Sequence, residues 1–233
     1  MAELAVAHIL KQNARMIDVD PRGYFITGSD TDVGKTYIGC QIVLQLNQRG
    51  IAVETRKPAE SGCQPGPQGE LLTHDAAALQ QANGHRENIN QICPHRFRAA
   101  LAPHRAARLE GKQIKLRDLE QACQQTHSEQ HLVVEGAGGF YSPLAEDGLN
   151  ADLASLLQLP VIVVVNDRIG AVNQALMSIA AVEQRHLQIA AIILNQVEKE
   201  HEPEMDNLTD LAAHTHLPLF GCGYQSRLPD IFR

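Results

Sequence analysis

Tyr24-Phe25-Ile26-Thr27-Gly28-Ser29-Asp30-Thr31-Asp32-Val33-Gly34-Lys35-Thr36 decides the fold of this chain. An apolar strand, Gly23–Thr27, enters a glycine-bearing loop. Gly34-Lys35-Thr36 then opens an amphipathic helix with apolar residues at Ile38, Ile42, Val43 and Leu46. That order predicts a phosphate-binding loop, because successive backbone N–H groups and the positive end of a helix point at one anion. Lys35 can reach the terminal phosphates of a nucleotide, and the Thr36 hydroxyl can ligate Mg²⁺. The usual pattern has glycine where Ser29 stands, and Gly28 lies one residue early. The strand before and the helix after supply the context that the motif requires.

Outward from this loop, short apolar strands alternate with helical stretches. Strands are expected at Gly23–Thr27, Ile51–Arg56, His131–Glu135, Pro160–Asn166, Ile189–Asn195 and Leu217–Gly221. Several are unbroken apolar runs, such as Val161-Ile162-Val163-Val164-Val165, which are buried on both faces. Helices are expected at about Lys35–Arg49, Thr73–Gln81, Lys115–His127, Ala151–Leu157, Asn173–Arg185 and Pro203–Thr215, with Gly50 closing the first. The pattern predicts a single-domain α/β fold of the P-loop NTPase type, a mostly parallel sheet with helices on both faces. Residues 23–233 form that domain and residues 1–22 an N-terminal extension, in which Ala5, Ile9 and Leu10 could make a short helix. Ser61 to Gly69 is too poor in apolar residues to be other than a loop.

Composition narrows the function. A chain of 233 residues, 44% hydrophobic, can bury one full core. A formal charge of −7 with no basic stripe argues against nucleic acid as partner. No segment approaches the roughly 18 consecutive apolar residues of a membrane helix. The first 22 residues lack the basic-then-apolar order of a signal peptide. Five scattered cysteines with no C-x-x-C pair read as free thiols in a reducing cytoplasm. The eleven histidines form no zinc spacing; His214-x-His216 comes nearest, and it reads as a solvated helix end.

In open α/β sheets, ligands bind beyond the carboxyl ends of the strands. The phosphate loop, Lys57, Glu135 and Asn195 each follow a strand's apolar run, so they are expected to converge on one edge of the sheet. Lys57 precedes a proline that keeps it extended; by position alone it is a functional or a solvated lysine. Glu135 lies between a buried strand and a Gly136-Ala137-Gly138-Gly139 turn, where a carboxylate can hold Mg²⁺. Asp75 alone reads as a helix-start residue, with Thr73 the better cap.

Three segments, in order, resemble the dethiobiotin synthetase family. Gly28-Ser29-Asp30-Thr31-Asp32-Val33-Gly34-Lys35-Thr36 is similar to its G-T-D-T-x-V-G-K-T, Lys57-Pro58-Ala59-Glu60-Ser61-Gly62 to its K-P-x-x-S-G, and Val134-Glu135-Gly136-Ala137-Gly138-Gly139 to its V-E-G-A-G-G. The resemblance covers about residues 23 to 222 and weakens after Val197. It implies ATP-dependent closure of a cyclic urea in biotin biosynthesis: 7,8-diaminononanoate takes up CO₂ as a carbamate, whose oxygen attacks the γ-phosphoryl group of ATP. The second amine then closes the ring of dethiobiotin and phosphate leaves. By the same resemblance Lys57, Lys35 and Thr31 are catalytic, and Thr36, Asp75 and Glu135 hold Mg²⁺. Asp32, Val33, Gly34, Lys35, Thr36, Tyr37, Asp75, Glu135, Gly136, Ala137, Gly138 and Asn195 bind ATP, with Asn195 reading the base. Ser61 would bond the substrate or its carbamate. Gly170 and Asn173 would bind its carboxylate from the neighbouring subunit of a homodimer; by position Asn173 reads as an N-cap, and the two roles are compatible.

Departures from the family pattern are Asp32, where Glu or Gly is common, and Gly221-Cys222-Gly223-Tyr224 in place of G-E-I-P. Two rivals share the loop. Corrinoid a,c-diamide synthetases need a further glutamine-hydrolysing domain, for which the chain is too short. Switch ATPases of the partitioning type usually add a lysine at the start of the loop, where Thr27-Gly28-Ser29 stands here.

Overall fold

The computed structural model describes residues 16–200 and 202–233; the short helix expected over Ala5, Ile9 and Leu10 lies outside them. In chain order the first elements are β1 (Gly23–Gly28), α1 (Lys35–Gln48), β2 (Val53–Arg56), β3 (Ala59–Ser61), β4 (Gln64–Pro65), β5 (Leu71–Leu72), α2 (Asp75–Ala82), α3 (Ile89–Ile92), β6 (His95–Phe97), α4 (Pro103–Leu109) and α5 (Leu116–Ala122). There follow β7 (His131–Gly139), β8 (Pro143–Ala145), β9 (Gly148–Leu149), α6 (Asn150–Leu157), β10 (Val161–Asn166), α7 (Ala171–Gln184), β11 (Ile189–Asn195), α8 (Asn207–Ala212) and β12 (Leu219–Cys222).

Six strands make one all-parallel sheet in the order β12-β11-β10-β1-β7-β2. Alternation along each strand sorts even unbroken apolar runs between two cores. Phe25, Val134, Val161, Val163, Val165 and Leu194 face one side, under Leu119 of α5, Leu153 of α6 and Val182 of α7. Tyr24, Ile26, Val133, Ile162, Val164 and Ile193 face the other, under Ile38, Ile42, Val43 and Leu46 of α1. In both cores each fully buried Val or Ile contributes about 1.5–3 kcal/mol of gross transfer free energy.

Several expected boundaries move, each for a local reason. Ser61 to Gly69 is not all loop: Ser61 closes β3, which pairs with β6, and Gln64–Pro65 pairs with Leu71–Leu72. β7 does not stop at Glu135 but runs on through the glycines to Gly139, its pairing with β1 slipping between Ile26 and Gly28. The helix expected to reach His127 ends at Ala122, because Thr126 and His127 instead give their N–H groups to the Glu54 carboxylate at 2.8 and 2.6 Å. α8 begins only at Asn207, where Asp206 caps it by accepting from Thr209 N–H. Gly50, at φ 76°, closes α1 as expected.

The last residues strap α1 to the sheet. Tyr37, Gln41, Gln45 and Arg49, four apart, line one helix face. The Tyr37 hydroxyl donates to Ser226 O at 2.7 Å, Gln45 Nε2 to Leu228 O and Pro229 O at 3.2 and 2.9 Å, and Arg49 to Phe232 O at 2.7 Å. Ile17 bridges to Phe232, whose ring lies 5.6 Å from that of Tyr24.

Candidate active site

β1 and α1 fix the phosphate loop between them. Gly34 caps α1 at φ 85°, and a Cβ there would collide with the Asn195 amide. Asp32 is also left-handed, at φ 56°, which Asp tolerates better than most residues. Lys35, buried, folds its ammonium back onto Asp30 O at 2.9 Å. Burial pushes this ammonium below its ordinary value, and the nearby Lys57 charge adds to the effect.

Lys57 follows directly on β2, and its backbone N–H is tied to Ile92 O at 2.8 Å. Its ammonium, 3% exposed, lies 2.6 Å from Glu135 Oε1, 2.7 Å from Asp75 Oδ2 and 3.1 Å from Gly136 O. Burial alone would lower this lysine, but Glu135 and Asp75 outweigh it and hold the proton firmly. Burial raises Glu135, against the pull of Lys57. Asp75 is held low by Lys57 despite its own partial burial. The Thr36 hydroxyl donates to Glu135 Oε1 at 2.9 Å, while Glu135 Oε2 is buried with no hydrogen-bond partner.

These groups open into a cleft of about 630 Å³. Of the residues singled out from the sequence, Thr31, Asp32, Gly34, Lys35, Thr36, Lys57, Ser61, Asp75, Glu135, Ala137 and Gly138 line it. Gly136 contributes the carbonyl that meets Lys57. Val33 turns its side chain into the core, and Tyr37 points to the C-terminal strap. Asn195 Nδ2 donates to Val33 O at 3.0 Å, supporting the loop from below. Gly170 and Asn173 are not in the cleft lining. Gly170 is the left-handed N-cap of α7, and Asn173 lies inside that helix rather than capping it. A second cleft of about 500 Å³ opens beside this turn, lined by Asp167, Arg168 and Ile169 on one side and by Glu198, Glu202 and Met205 on the other.

Two buried polar side chains beside the site escaped the sequence reading. Asn150, fully buried, clamps the glycine segment: Nδ2 donates to Ala137 O at 2.5 Å and Oδ1 accepts from Ala137 N–H at 2.9 Å. Nothing in its local sequence marks it. Glu60 caps α2, accepting from His74, Asp75 and Ala76 N–H at 2.5, 3.1 and 3.0 Å. The N-cap position is His74, not Thr73, and no side chain of the helix's own start caps it.

What the arrangement can do chemically is bind polyphosphate: two ammonium groups, a loop of backbone donors at a helix start, and hard oxygen ligands face one space. Comparison with known proteins agrees. A family model described as an AAA domain matches residues 22–223. ATP-dependent dethiobiotin synthetase BioD of Anaeromyxobacter dehalogenans (strain 2CP-C) is 41% identical over 197 residues, 84% of this chain and 86% of its own. The enzyme of the same name from Ruthia magnifica is 35% identical, over 85% of this chain and 89% of its own. Among solved structures, the signal recognition particle receptor FtsY from Elizabethkingia anophelis superposes with a TM-score of 0.52 at 13% identity. That match covers 93% of this chain but 63% of the receptor's, and it speaks for the shared P-loop fold alone. With the loop, the cleft and two likenesses that each span more than four fifths of both chains in agreement, the chain belongs to the ATP-dependent dethiobiotin synthetase family.

Proposed function

We propose that this protein closes the cyclic urea of dethiobiotin from 7,8-diaminononanoate, CO₂ and ATP, releasing ADP and phosphate in the cytoplasm. The observation that carries the reading is the meeting of Lys35, Lys57, Thr36, Asp75 and Glu135 in one cleft that Ser61 and Thr31 also line. The carbamate oxygen attacks the γ-phosphorus of ATP and ADP departs; the second amine then attacks the carbamoyl carbon and the phosphate carries away its oxygen. No covalent bond to the protein forms. The protein's part is positioning and charge balance. Lys35 and the loop amides hold the β- and γ-phosphates, Lys57 balances the carbamate and the transferring group, and Ser61 and Thr31 hydrogen-bond the reactants.

The oxygens of Thr36, Asp75 and Glu135 suit Mg²⁺, and the buried, unbonded Glu135 Oε2 supports this assignment. When bound there, Mg²⁺ would neutralise developing phosphate charge. Asn195, its amide fixed by Val33, would read the base. Gly170 and Asn173 would bind the substrate carboxylate in the cleft of a second copy. Ile169 and Met177, beside them and 77% and 59% exposed, support that homodimer.

The test is phosphate release with ATP, Mg²⁺ and bicarbonate, with and without the diamine. Diamine-dependent release, with a product one water lighter than the carbamate, is expected. Release indifferent to the diamine would overturn the assignment.

A further inference from the structure

Glu60 stands three residues after Lys57 and one before Ser61, yet its carboxylate meets backbone rather than substrate-sized space alone. It is 4% exposed, and its oxygens are taken by three N–H groups: His74 and Asp75 on Oε1, Ala76 on Oε2. These are the N-cap and first two residues of α2, whose own start offers no side-chain cap. A helix start has four orphan donors and about half a positive charge, so a carboxylate from another element both satisfies and neutralises it. Glu60 is itself anchored. Its strand pairs with β6, and Cys63 Sγ donates to its carbonyl at 3.5 Å. The first residue of α2 is Asp75, whose carboxylate is 37% exposed and meets Lys57.

We propose that Glu60 is a positioning residue: by capping α2 from β3 it fixes Asp75 against Lys57. One four-residue segment, Lys57-Pro58-Ala59-Glu60, then sets both sides of the contact, Lys57 bringing the ammonium and Glu60 the helix that carries the carboxylate. The proposal rests on the synthetase reading of the cleft. In Glu60→Gln the fold of the side chain is kept, but an amide N–H₂ faces a backbone N–H.

The experiment pairs a double-mutant cycle with amide hydrogen exchange. Glu60→Gln is expected to lower dethiobiotin kcat about 10–100-fold, as loss of a ligand-orienting partner does. In an Asp75→Asn background the same change is expected to cost less than about twofold, because its route through Asp75 is already cut. The Asp75 and Ala76 amides are expected to exchange at least about tenfold faster in Glu60→Gln than in the wild type. Equal losses in both backgrounds, or an unchanged kcat, would overturn the proposal, and so would unchanged exchange. Should Glu60→Gln fail to fold, Glu60→Asp, which keeps the charge but shortens the reach, carries the same cycle. A wild type that makes no dethiobiotin would defeat the assigned reaction while the exchange comparison still decides whether Glu60 holds the start of α2.

Discussion

Arg56 and Lys57 are neighbours in sequence, both about 3% exposed and both paired with two carboxylates, yet they belong to different kinds of cluster. Arg56 turns to Glu54 and Glu87, and every carboxylate oxygen there is taken. Glu54 also accepts from Thr126 and His127 N–H, and Glu87 Oε2 from Thr55 N–H, the Thr55 hydroxyl and Asn83 at 2.7–2.8 Å. Lys57 turns the other way, into the cleft, where Glu135 keeps one buried oxygen without a partner. Buried charge as such does not mark a site. A saturated network ties β2 to its surroundings, whereas an unsatisfied one beside a cavity has ligating capacity in reserve.

The comparison breaks most sharply at the two cations. Lys57→Gln is expected to reduce turnover by about 10³-fold or more, since charge stabilisation at a transferring group is worth several kcal/mol. It also unpairs buried Glu135, so a lower Tm should accompany the loss, partly restored by Mg²⁺ with nucleotide. Arg56→Gln should do the reverse: a stability loss of about 3–5 kcal/mol in urea unfolding, with kcat of the folded fraction nearly unchanged. Comparable kcat losses for the two would erase the distinction.

The carboxylates sharpen it at smaller scale. Glu54→Gln replaces an oxygen that accepts a backbone N–H by a donor and should cost about 1–3 kcal/mol in stability, with little change in turnover. Glu135→Gln removes a charge that burial already disfavours. It should leave Tm within a few degrees of wild type while turnover falls and its Mg²⁺ dependence weakens.

The smallest effect concerns acid. Lys57 holds the Asp75 carboxyl below its ordinary value, so the contact's stability is fully present above that ordinary value, about pH 4, and is lost as pH falls through the lowered one. Because Asp75 is 37% exposed, screening limits the effect to less than about 1 kcal/mol. Unfolding free energy measured from pH 6 to pH 2 should fall less steeply in Asp75→Asn than in wild type.

The phosphate loop and the parallel sheet were legible because their signals are local: an apolar run, a glycine-lysine-threonine turn and helical periodicity lie within a few residues of one another. Lys57 and Glu135 could be placed at one sheet edge by the strand-end rule, whereas Asp75, at a helix start, was reached only through the family resemblance, and the contacts among the three were not legible. Glu60 and Asn150 stayed hidden because their work is done on backbone groups distant in the chain, 14–16 residues away for Glu60 and up to 13 for Asn150. Neither spacing has a periodic signature. The early end of α5 has the same origin: residues 124–127 have no breaker of their own, and it is Glu54, some 72 residues earlier, that takes the N–H groups of Thr126 and His127. Short pairings such as β4 with β5 involve two residues each, too few to show any alternation.

The bridge between Ile17 and Phe232 brings the two described ends of the chain side by side, with Arg233 N–H on Ile17 O at 3.0 Å and its guanidinium on Asp18. Connectivity is therefore separable from architecture here. A short linker from Arg233 to Met16, with the chain reopened between exposed Lys112 and Gln113, would give a circular permutant with every strand of the sheet uncut. In such a molecule the phosphate loop, now past the middle of the polypeptide, would be synthesised after β7 and β10, the two strands that flank β1.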